Sequence, residues 1–178
     1  DNTPALGSNG VPGLLVSSDG SLWIGTNGGG LIRKSVAGAF RAFGKDAGIS
    51  SPSVFSILED HAGAIWAGTE NGGVCKLFAE RFTCFDGPGR LRGAVVRSLV
   101  EDSSGRVCAV TDRDSYLCFD GKDFQPEALE GLKTGGSIFT ATRSPDGSIW
   151  LGTAGGLYRL DGRKAEPVRS NLIPEDAA

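Results

Sequence analysis

The chain has 178 residues and a net charge of −3, from 18 basic and 21 acidic side chains. The basic residues are not clustered, which argues against a nucleic-acid-binding surface, and no apolar run approaches the roughly 20 residues of a membrane span. Glycine accounts for 28 residues while apolar residues remain plentiful, a composition typical of many short strands joined by tight turns. Because the sequence begins at Asp1 and contains no methionine, we expect a processed or excised piece of a longer protein.

A tryptophan recurs along the chain at a nearly constant spacing. Trp23 and Trp66 are 43 residues apart, and Trp66 and Trp150 are 84 residues apart, so a further copy is expected near position 108. There the sequence reads RVCAVT, with Cys108 in the tryptophan position and Thr111 in the position of Thr69. Four copies of about 42 residues fall within the roughly 40–45 residues of a four-stranded propeller blade.

Taken in chain order, the four copies predict the same series of strands. Copy one contains GLLV, SLWIGT, LIRK and AFRAF; copy two contains strands at 54–58, 64–69, 74–78 and 81–85; copy three contains VRSLV, RVCAV, YLCF and KDFQP; copy four contains IFTAT, SIWLGT, LYRL and AEPVR. Each stretch is rich in β-forming residues and ends in a turn, whereas glycines or turn pairs interrupt any continuous helix. We predict an all-β single domain over 1–178 whose four β-propeller blades are four-stranded antiparallel sheets at about 11–44, 54–86, 96–127 and 138–170.

The repeated Trp-x-Gly-Thr block is predicted to be architectural, because an active site would not be needed in every copy. A four-stranded sheet cannot bury both faces by itself, and radial stacking buries them against neighbouring sheets. The tryptophan would fill the gap to the next sheet, and the glycines would allow close backbone approach and positive φ in hairpins. The predicted structural positions are Trp23, Gly25, Thr26, Trp66, Gly68, Thr69, Cys108, Thr111, Trp150, Gly152 and Thr153.

The second copy resembles a known repeat. Its pattern V-x-S-I-x-E-D-x-x-G-x-I-W-x-G-T-x-x-G-G-V, from Val54 to Val74, is similar to the two-component regulator propeller repeat, and the resemblance extends over essentially the whole chain. Copy three departs from it by losing the tryptophan and the double glycine. The resemblance implies a ligand-sensing propeller segment of a bacterial hybrid histidine kinase or related receptor, periplasmic or extracellular, without catalysis or cofactor. It also implies a carbohydrate or other small polar ligand and a downstream signalling domain as partner.

Related sensor propellers usually have more blades than the four of this chain. Three explanations remain open: a segment of a larger propeller, which we favour; two copies that assemble into one ring; and four blades that close alone. An open segment would expose two apolar faces and self-associate. For the function, the alternatives to a sensor are a protein-interaction or self-assembly scaffold and, third, a propeller lyase or glycosidase.

Most of the side chains that could serve in catalysis or metal binding lie in predicted turns. We therefore predict no catalytic or metal-binding residue. His61, the one histidine, lies in the turn DHAG, where a solvated role is far more common than that of a catalytic base. The pairs Glu59–Asp60 and Glu101–Asp102 recur before a turn, which indicates turn initiation and exposed charge rather than acid–base catalysis. GTNGGG lacks a phosphate-loop pattern, and SSDGSLW and SPDGSIW are interpreted as turns.

The four cysteines leave two alternatives open. Their spacings of nine and ten residues do not suit a zinc site. If Ala79–Glu80 forms a bend, Cys75 and Cys84 face each other across one hairpin, and Cys108 and Cys118 lie on adjacent strands, so two local disulfides would form in an oxidising compartment. Four buried free thiols are the slightly favoured alternative.

Residues that depart from the repeat are the better candidates for function, because the architecture does not require them. Copy three carries TDRDS where its sister copies carry glycines, and the linker before it is rich in arginine. Turns between second and third strands lie on the same rim of a propeller as the linkers between blades, and arginine suits carboxylates or sugar hydroxyls. We predict an acidic or hydroxyl-rich ligand at this rim, with ordinary surface charge as the alternative. The predicted ligand-binding residues are Arg92, Arg97, Asp112, Arg113 and Asp114.

Overall fold

A computed structural model, which describes residues 6–86, 91–113, 115–132 and 137–168, shows four successive groups of four antiparallel strands. Blade 1 contains β1 Gly13–Val16, β2 Leu22–Gly25, β3 Leu31–Lys34 and β4 Phe40–Phe43. Blade 2 contains β5 Val54–Glu59, β6 Ile65–Gly72, β7 Val74–Phe78 and β8 Arg81–Phe85. Blade 3 contains β9 Arg92–Glu101, β10 Val107–Thr111, β11 Tyr116–Phe119 and β12 Phe124–Pro126. Blade 4 contains β13 Ile138–Arg143, β14 Ile149–Thr153, β15 Gly156–Asp161 and β16 Lys164–Pro167.

The strands confirm the predicted all-β propeller architecture. The described part of the chain has one turn of 3-10 helix at Lys45–Ala47, in the linker between blades 1 and 2. None of its helices has the length and apolar character needed to cross a bilayer.

Two strands are longer than the sequence predicts, and they join blades 2 and 3 into one eight-stranded sheet. β6 continues through the predicted turn at 70–73, and its end pairs with the start of β9, Glu70 opposite Val95 and Gly72 opposite Arg92. Asn71 has a φ of 62°, in the left-handed region that asparagine tolerates better than most residues. The chain therefore turns at Asn71 while its pairing with β9 continues. The ENGG turn motif alone does not predict this pairing.

Three apolar clusters hold the blades together, one at each contact between successive blades, which we call interfaces 1/2, 2/3 and 3/4. Interface 1/2 contains Trp23, Leu31, Phe43, Ile49, Val54, Ile65, Ala67, Cys75 and Phe82. Interface 2/3 contains Trp66, Val74, Leu91, Val96, Leu99, Val107, Ala109, Leu117 and Phe124. Interface 3/4 contains Val100, Cys108, Val110, Tyr116, Cys118, Ile138, Ala141, Ile149, Leu151, Tyr158, Leu160 and Ala165. Among the described residues, no cluster combines blade 1 with blade 4, so this part of the chain is an open stack.

The tryptophan of each block packs toward the following blade. Trp23 and Trp66 are buried in interfaces 1/2 and 2/3, whereas Trp150, with no following blade among the described residues, is only half-buried. The glycine two residues after the tryptophan is required because successive blades approach each other closely there. A Cβ on Gly68 of blade 2 would lie 2.6 Å from Val96 Cγ1 of blade 3. This packing is the arrangement that radial stacking requires.

A backbone hydrogen bond recurs in all four blades and survives in the degenerate third copy. In each blade, the N–H of the residue after the block threonine donates to a carbonyl that precedes the first strand or lies early in it. The pairs are Asn27 to Gly10, Glu70 to Ser53, Asp112 to Val95 and Ala154 to Ser137. Blade 3 therefore keeps the backbone frame of its sisters although it has lost the tryptophan.

Candidate functional site

Two of the predicted rim residues bond to the backbone of β9. The Asp112 carboxylate accepts a hydrogen bond from the N–H of Val95 at 2.9 Å. Arg113 Nη2 donates to the carbonyl of Gly93 at 2.8 Å. These contacts fasten the long start of β9 to the turn after β10, so both side chains have a structural partner in the described chain.

The other three predicted rim residues do not lie together. Arg92 is exposed at the first position of β9, next to the strand segment that Arg113 holds. Arg97 lies farther along β9, with its guanidinium over the ring of Phe139 in blade 4 at 5.7 Å. Asp114 lies outside the described residues. The structure therefore brings Arg92, Asp112 and Arg113 to one edge of blade 3, and it directs Arg97 toward blade 4.

The aspartates before the first hairpin turn confirm the predicted turn role. Asp60 Oδ1 accepts the N–H of Ala64 at 2.8 Å, and Asp102 Oδ1 accepts the N–H of Arg106 at 2.9 Å. Asp60 also accepts the indole N–H of Trp66 at 2.8 Å, so the turn and the tryptophan are held together. Burial alone would raise the pKa of Asp102, but hydrogen bonds from Ser104 and Arg106 outweigh it and lower that pKa.

The glutamates beside these aspartates link one blade to the next. Glu59 accepts hydrogen bonds from the N–H and the hydroxyl of Ser18 in blade 1, both at 2.6 Å. Glu101 accepts the N–H of His61 in blade 2 and also meets its ring Nδ1. The hydrogen bond with Glu101 raises the pKa of His61. His61 is exposed, as expected, whereas the prediction of exposed charge is wrong for Glu101 and Asp60, because both are buried.

The cysteines form two disulfides, Cys75–Cys84 and Cys108–Cys118, and the favoured alternative of free thiols is wrong. Both bonds join residues that are directly opposite in neighbouring strands, where side chains approach closely. The sulfurs of Cys108 and Cys118 lie near the Asp102 carboxylate. Because they are bonded to each other, they are not the thiolates that a metal would need.

A cleft of about 590 Å³ lies between blades 3 and 4. Its wall is polar and carries charges of both signs. The charged residues that matter most are Asp102, Arg106, Glu127, Arg159, Arg163 and Glu166. Cys118 and Tyr116 also line it, so the cleft borders the disulfide that stands in the tryptophan position.

The cleft exists because large aromatic rings are missing from interface 3/4. In interface 2/3, Trp66 packs on Phe85, Phe119 and Phe124 with ring centroids 6.1, 5.2 and 6.1 Å away. The strand register identifies the residues at the same positions one blade later. Glu127 corresponds to Phe85, because it lies opposite Tyr116 as Phe85 lies opposite Val74. The pair Leu160 and Ala165 corresponds to the pair Phe119 and Phe124. Interface 3/4 thus has Cys108, Glu127, Leu160 and Ala165 at these four positions, and the lost ring volume leaves an opening.

Glu127 is the centre of the charge network in the cleft. Arg106 Nη1 donates to its Oε1 at 2.9 Å, and this bond raises the pKa of Arg106. Arg163 Nε of blade 4 lies 2.7 Å from Oε2. That N–H is not directed at Oε2, which is buried and accepts no hydrogen bond in the described structure. One carboxylate oxygen therefore keeps an unused acceptor position inside a polar cleft.

Tyr116 is a second polar side chain that lines the cleft. The residue as a whole is only 6% exposed. Burial raises the pKa of Tyr116, so the side chain is a neutral phenol that can both donate and accept. Buried polar atoms without partners are uncommon in folded proteins, and Glu127 Oε2 is such an atom in this cleft.

These cleft residues were not predicted from the sequence. The available signal was the loss of tryptophan at Cys108, together with a glutamate, Glu127, at the repeat position where blades 1 and 2 have Phe43 and Phe85. The sequence pattern marked blade 3 as unusual, but it directed attention to the rim turn instead of the interface.

The repeats and the fold together define the class of protein as a β-propeller segment. The sequence model of the two component regulator propeller family matches residues 5–28 and 48–71, which contain the first two tryptophan blocks. The predicted resemblance to that family is therefore confirmed. No curated protein sequence matches the chain.

Three solved structures show the same fold at low sequence identity. The extracellular domain of the hybrid two component system BT4673 from B. thetaiotaomicron has a TM-score of 0.71 at 21% identity, over 93% of this chain and 23% of that one. The corresponding domain of BT3049 from the same organism has a TM-score of 0.67 at 24% identity, over 86% and 22%. Virginiamycin B lyase from Staphylococcus aureus has a TM-score of 0.67 at 15% identity, over 89% and 55%. The chain spans less than a quarter of the two extracellular domains.

Proposed function

We propose that the chain is a non-catalytic, ligand-sensing propeller module of an extracellular or periplasmic two-component receptor, and that it binds a small hydroxyl-rich molecule such as a saccharide in the cleft of interface 3/4. The observation that carries this proposal is the buried Glu127 Oε2, which accepts no hydrogen bond in the described structure and lies in the same cleft as the Tyr116 phenol. The two disulfides support an oxidising compartment.

The wall of the cleft suits sugar hydroxyls. A ligand hydroxyl can donate to Glu127 Oε2 once the exposed Arg163 side chain moves aside. Another hydroxyl can exchange donor and acceptor roles with the neutral Tyr116 phenol. Each unsatisfied buried polar atom costs about 1–3 kcal/mol, and a ligand that supplies the missing partner recovers that cost. The arginines Arg106 and Arg163 add planar forks that suit hydroxyl or carboxylate oxygens.

The location of the cleft provides a route from binding to signalling. Tyr116 and Glu127 belong to blade 3, whereas Arg159 and Arg163 belong to blade 4. A ligand that contacts both blades binds best at one relative position of the two and so favours that arrangement. A downstream signalling domain would then sense occupancy as a change in blade packing.

A non-catalytic role is supported by the inventory of groups around the cleft. The chain's one histidine, His61, is at interface 2/3 and does not line the cleft. The Glu127 carboxylate faces two arginines, so its oxygens serve the ion pairs that join blades 3 and 4.

The predicted rim stays a second candidate location for the ligand. Arg92 is exposed there beside Asp112 and Arg113, and Arg97 and Asp114 complete the proposed set. Because the described rim side chains already bond to backbone or lie over a ring, we favour the cleft.

Calorimetric titration with a panel of neutral and uronic-acid-containing oligosaccharides tests both locations. For a sugar that binds, Tyr116→Phe removes one hydroxyl without changing shape, and we expect affinity to fall roughly 2- to 12-fold, as for one lost hydrogen bond. Arg113→Ala is the matched rim variant and should leave affinity unchanged. The reverse result would move the site to the rim, and a panel without any binding would favour a scaffold.

A further inference from the structure

The wall of the cleft in interface 3/4 has more acidic than basic side chains. Five carboxylates and three guanidinium groups line it. Arg106 already bonds two of those carboxylates, that of Asp102 through Nε and that of Glu127 through Nη1, both at 2.9 Å. Arg159 donates to Ser148 Oγ from both Nε and Nη2. Because the surplus charge is negative and these arginines have partners, the cleft favours a cationic ligand over an anionic one.

Glu127 is the carboxylate at which a ligand cation would bind. Its side chain is 9% exposed, and the buried Oε2 accepts no hydrogen bond in the described structure. Its other oxygen, Oε1, depends on Arg106, which also bonds Asp102. A buried carboxylate is stabilised by hydrogen bonds and by opposite charge, and a charged donor supplies both. Oε2 is therefore an acceptor that lacks a charged donor in the right orientation.

Arg163 supplies a charge at this position but not the hydrogen bond. Its Nε lies 2.7 Å from Glu127 Oε2, yet the N–H is not directed at that oxygen, and the arginine side chain is 67% exposed. The backbone of this turn is fixed to the linker after blade 3, because the N–H of Glu130 donates to the carbonyl of Arg163 at 2.8 Å. The side chain can therefore leave the cleft without a change in the backbone.

Charge balance determines which kind of group can replace Arg163. If a neutral hydroxyl displaces it, Glu127 and Asp102 are left with one guanidinium group between them, that of Arg106. Such a loss is small for the exposed arginine but large for the buried carboxylate. A carboxylate group from the ligand would add a further negative charge. A protonated amine restores the charge that leaves, and its three N–H donors include one that can point at Oε2.

We propose that the ligand of this cleft carries a protonated primary amine, which displaces Arg163 and donates a hydrogen bond to Glu127 Oε2. This inference rests on the proposed function, because it specifies the ligand of the same cleft, and it narrows the hydroxyl-rich molecule to an amino sugar. Until that ligand binds, Arg163 occupies the site as a tethered cation. The hydroxyl groups of the sugar remain available to Tyr116 and the other polar side chains of the wall.

Calorimetric titration with disaccharides of glucosamine, glucose and glucuronic acid tests the charge preference. The probes have the same linkage and differ in a substituent of the ring, which is an ammonium, a hydroxyl or a carboxylate group. We expect the glucosamine disaccharide to bind roughly 5- to 12-fold more tightly than the glucose disaccharide, as for a charged hydrogen bond in place of a neutral one. Equal or tighter binding of either other disaccharide would overturn the inference and leave the proposed function intact, whereas no binding by any of the three would overturn both.

A variant of Arg163 tests the exchange of cations. Arg163→Gln removes the cation that the amine must displace, so the glucosamine disaccharide should bind roughly 2- to 5-fold more tightly. Arg41→Gln is the matched control, because it removes an exposed arginine that pairs with Glu80 across interface 1/2, and it should leave the affinity unchanged. An equal gain in both variants would show an effect of net charge alone, and that result or an unchanged affinity of Arg163→Gln would contradict the displacement.

A small diamine separates the amine from the sugar. Ethylenediamine carries primary amines without ring hydroxyls, so we expect it to bind more weakly than the glucosamine disaccharide and to compete with it in the same titration. Competition would support an amine site at Glu127. A diamine that binds as tightly as the disaccharide would support that site but contradict the saccharide of the proposed function, and a diamine that does not compete at large excess would overturn the inference.

Discussion

Interfaces 2/3 and 3/4 occupy the same place in the repeat but are filled by opposite chemistry. Interface 2/3 has Trp66 packed against three phenylalanines. Interface 3/4 has a disulfide at the tryptophan position and a carboxylate between two arginines at a phenylalanine position. One blade frame thus supports both a closed apolar contact and an open polar one.

The difference shows which parts of the repeat the fold requires. The backbone bond from Asp112 to Val95 is kept in blade 3, although the tryptophan and the double glycine are lost. The Cys108–Cys118 bond fastens the central hairpin of that blade where an anchoring ring is absent. The backbone hydrogen bond is therefore kept in every blade, whereas the tryptophan ring can be replaced by a disulfide.

The largest effect should come from removing the anchor of interface 2/3. Trp66→Ala deletes a fully buried ring, and we expect the free energy of unfolding to fall by about 3–5 kcal/mol. The measurement is urea unfolding followed by circular dichroism. Trp150→Ala is the matched control, because that ring is only half-buried, and it should cost less than half as much. Equal losses would contradict the assignment of Trp66 as an interface anchor.

The second prediction concerns the two disulfides, which close loops of similar length. Replacing Cys108 and Cys118 by alanine should lower the free energy of unfolding by about 2–3 kcal/mol, and replacing Cys75 and Cys84 should cost a similar amount. Ligand affinity separates them, because only the Cys108–Cys118 bond borders the cleft. A loss of affinity in the Cys75/Cys84 variant, or none in the other, would place the ligand elsewhere.

The same comparison explains how far the sequence was informative. The period of the tryptophans and the alternation of short apolar stretches predicted the strands, because every copy repeats the same local physics. The pairing of Glu70 with Val95 was missed, since strand extension through ENGG depends on the neighbouring blade. The cleft was also missed, because it arises from volumes lost on two blades at once, at Cys108 and Ala165, and only the strand register places those positions opposite each other.

The third prediction concerns the charge network that replaces the aromatic rings. Glu127→Gln removes the counter-charge of Arg163 and leaves Arg106 paired with Asp102 alone. We expect a loss of about 1–2 kcal/mol in the free energy of unfolding, limited because both arginines are partly exposed. Glu166→Gln makes the same change in an exposed pair with Lys164 and should have almost no effect. If Glu127→Gln is neutral, the network does not stabilise interface 3/4.

The smallest effect should be a pH dependence confined to interface 2/3. His61 of blade 2 meets the buried Glu101 of blade 3, with Asp60 and Arg143 nearby, and its pKa is raised from 6.5. Because protonated His61 is favoured in the folded state, its contribution to stability is complete below pH 6.5 and is lost as the pH rises through the higher folded value. The equivalent positions of interface 3/4 are Ser103 and Arg143, so that interface has no histidine in this place. Urea midpoints measured across this range should therefore fall slightly more with rising pH in the unmodified chain than in His61→Asn, and parallel curves would show that the pair contributes nothing.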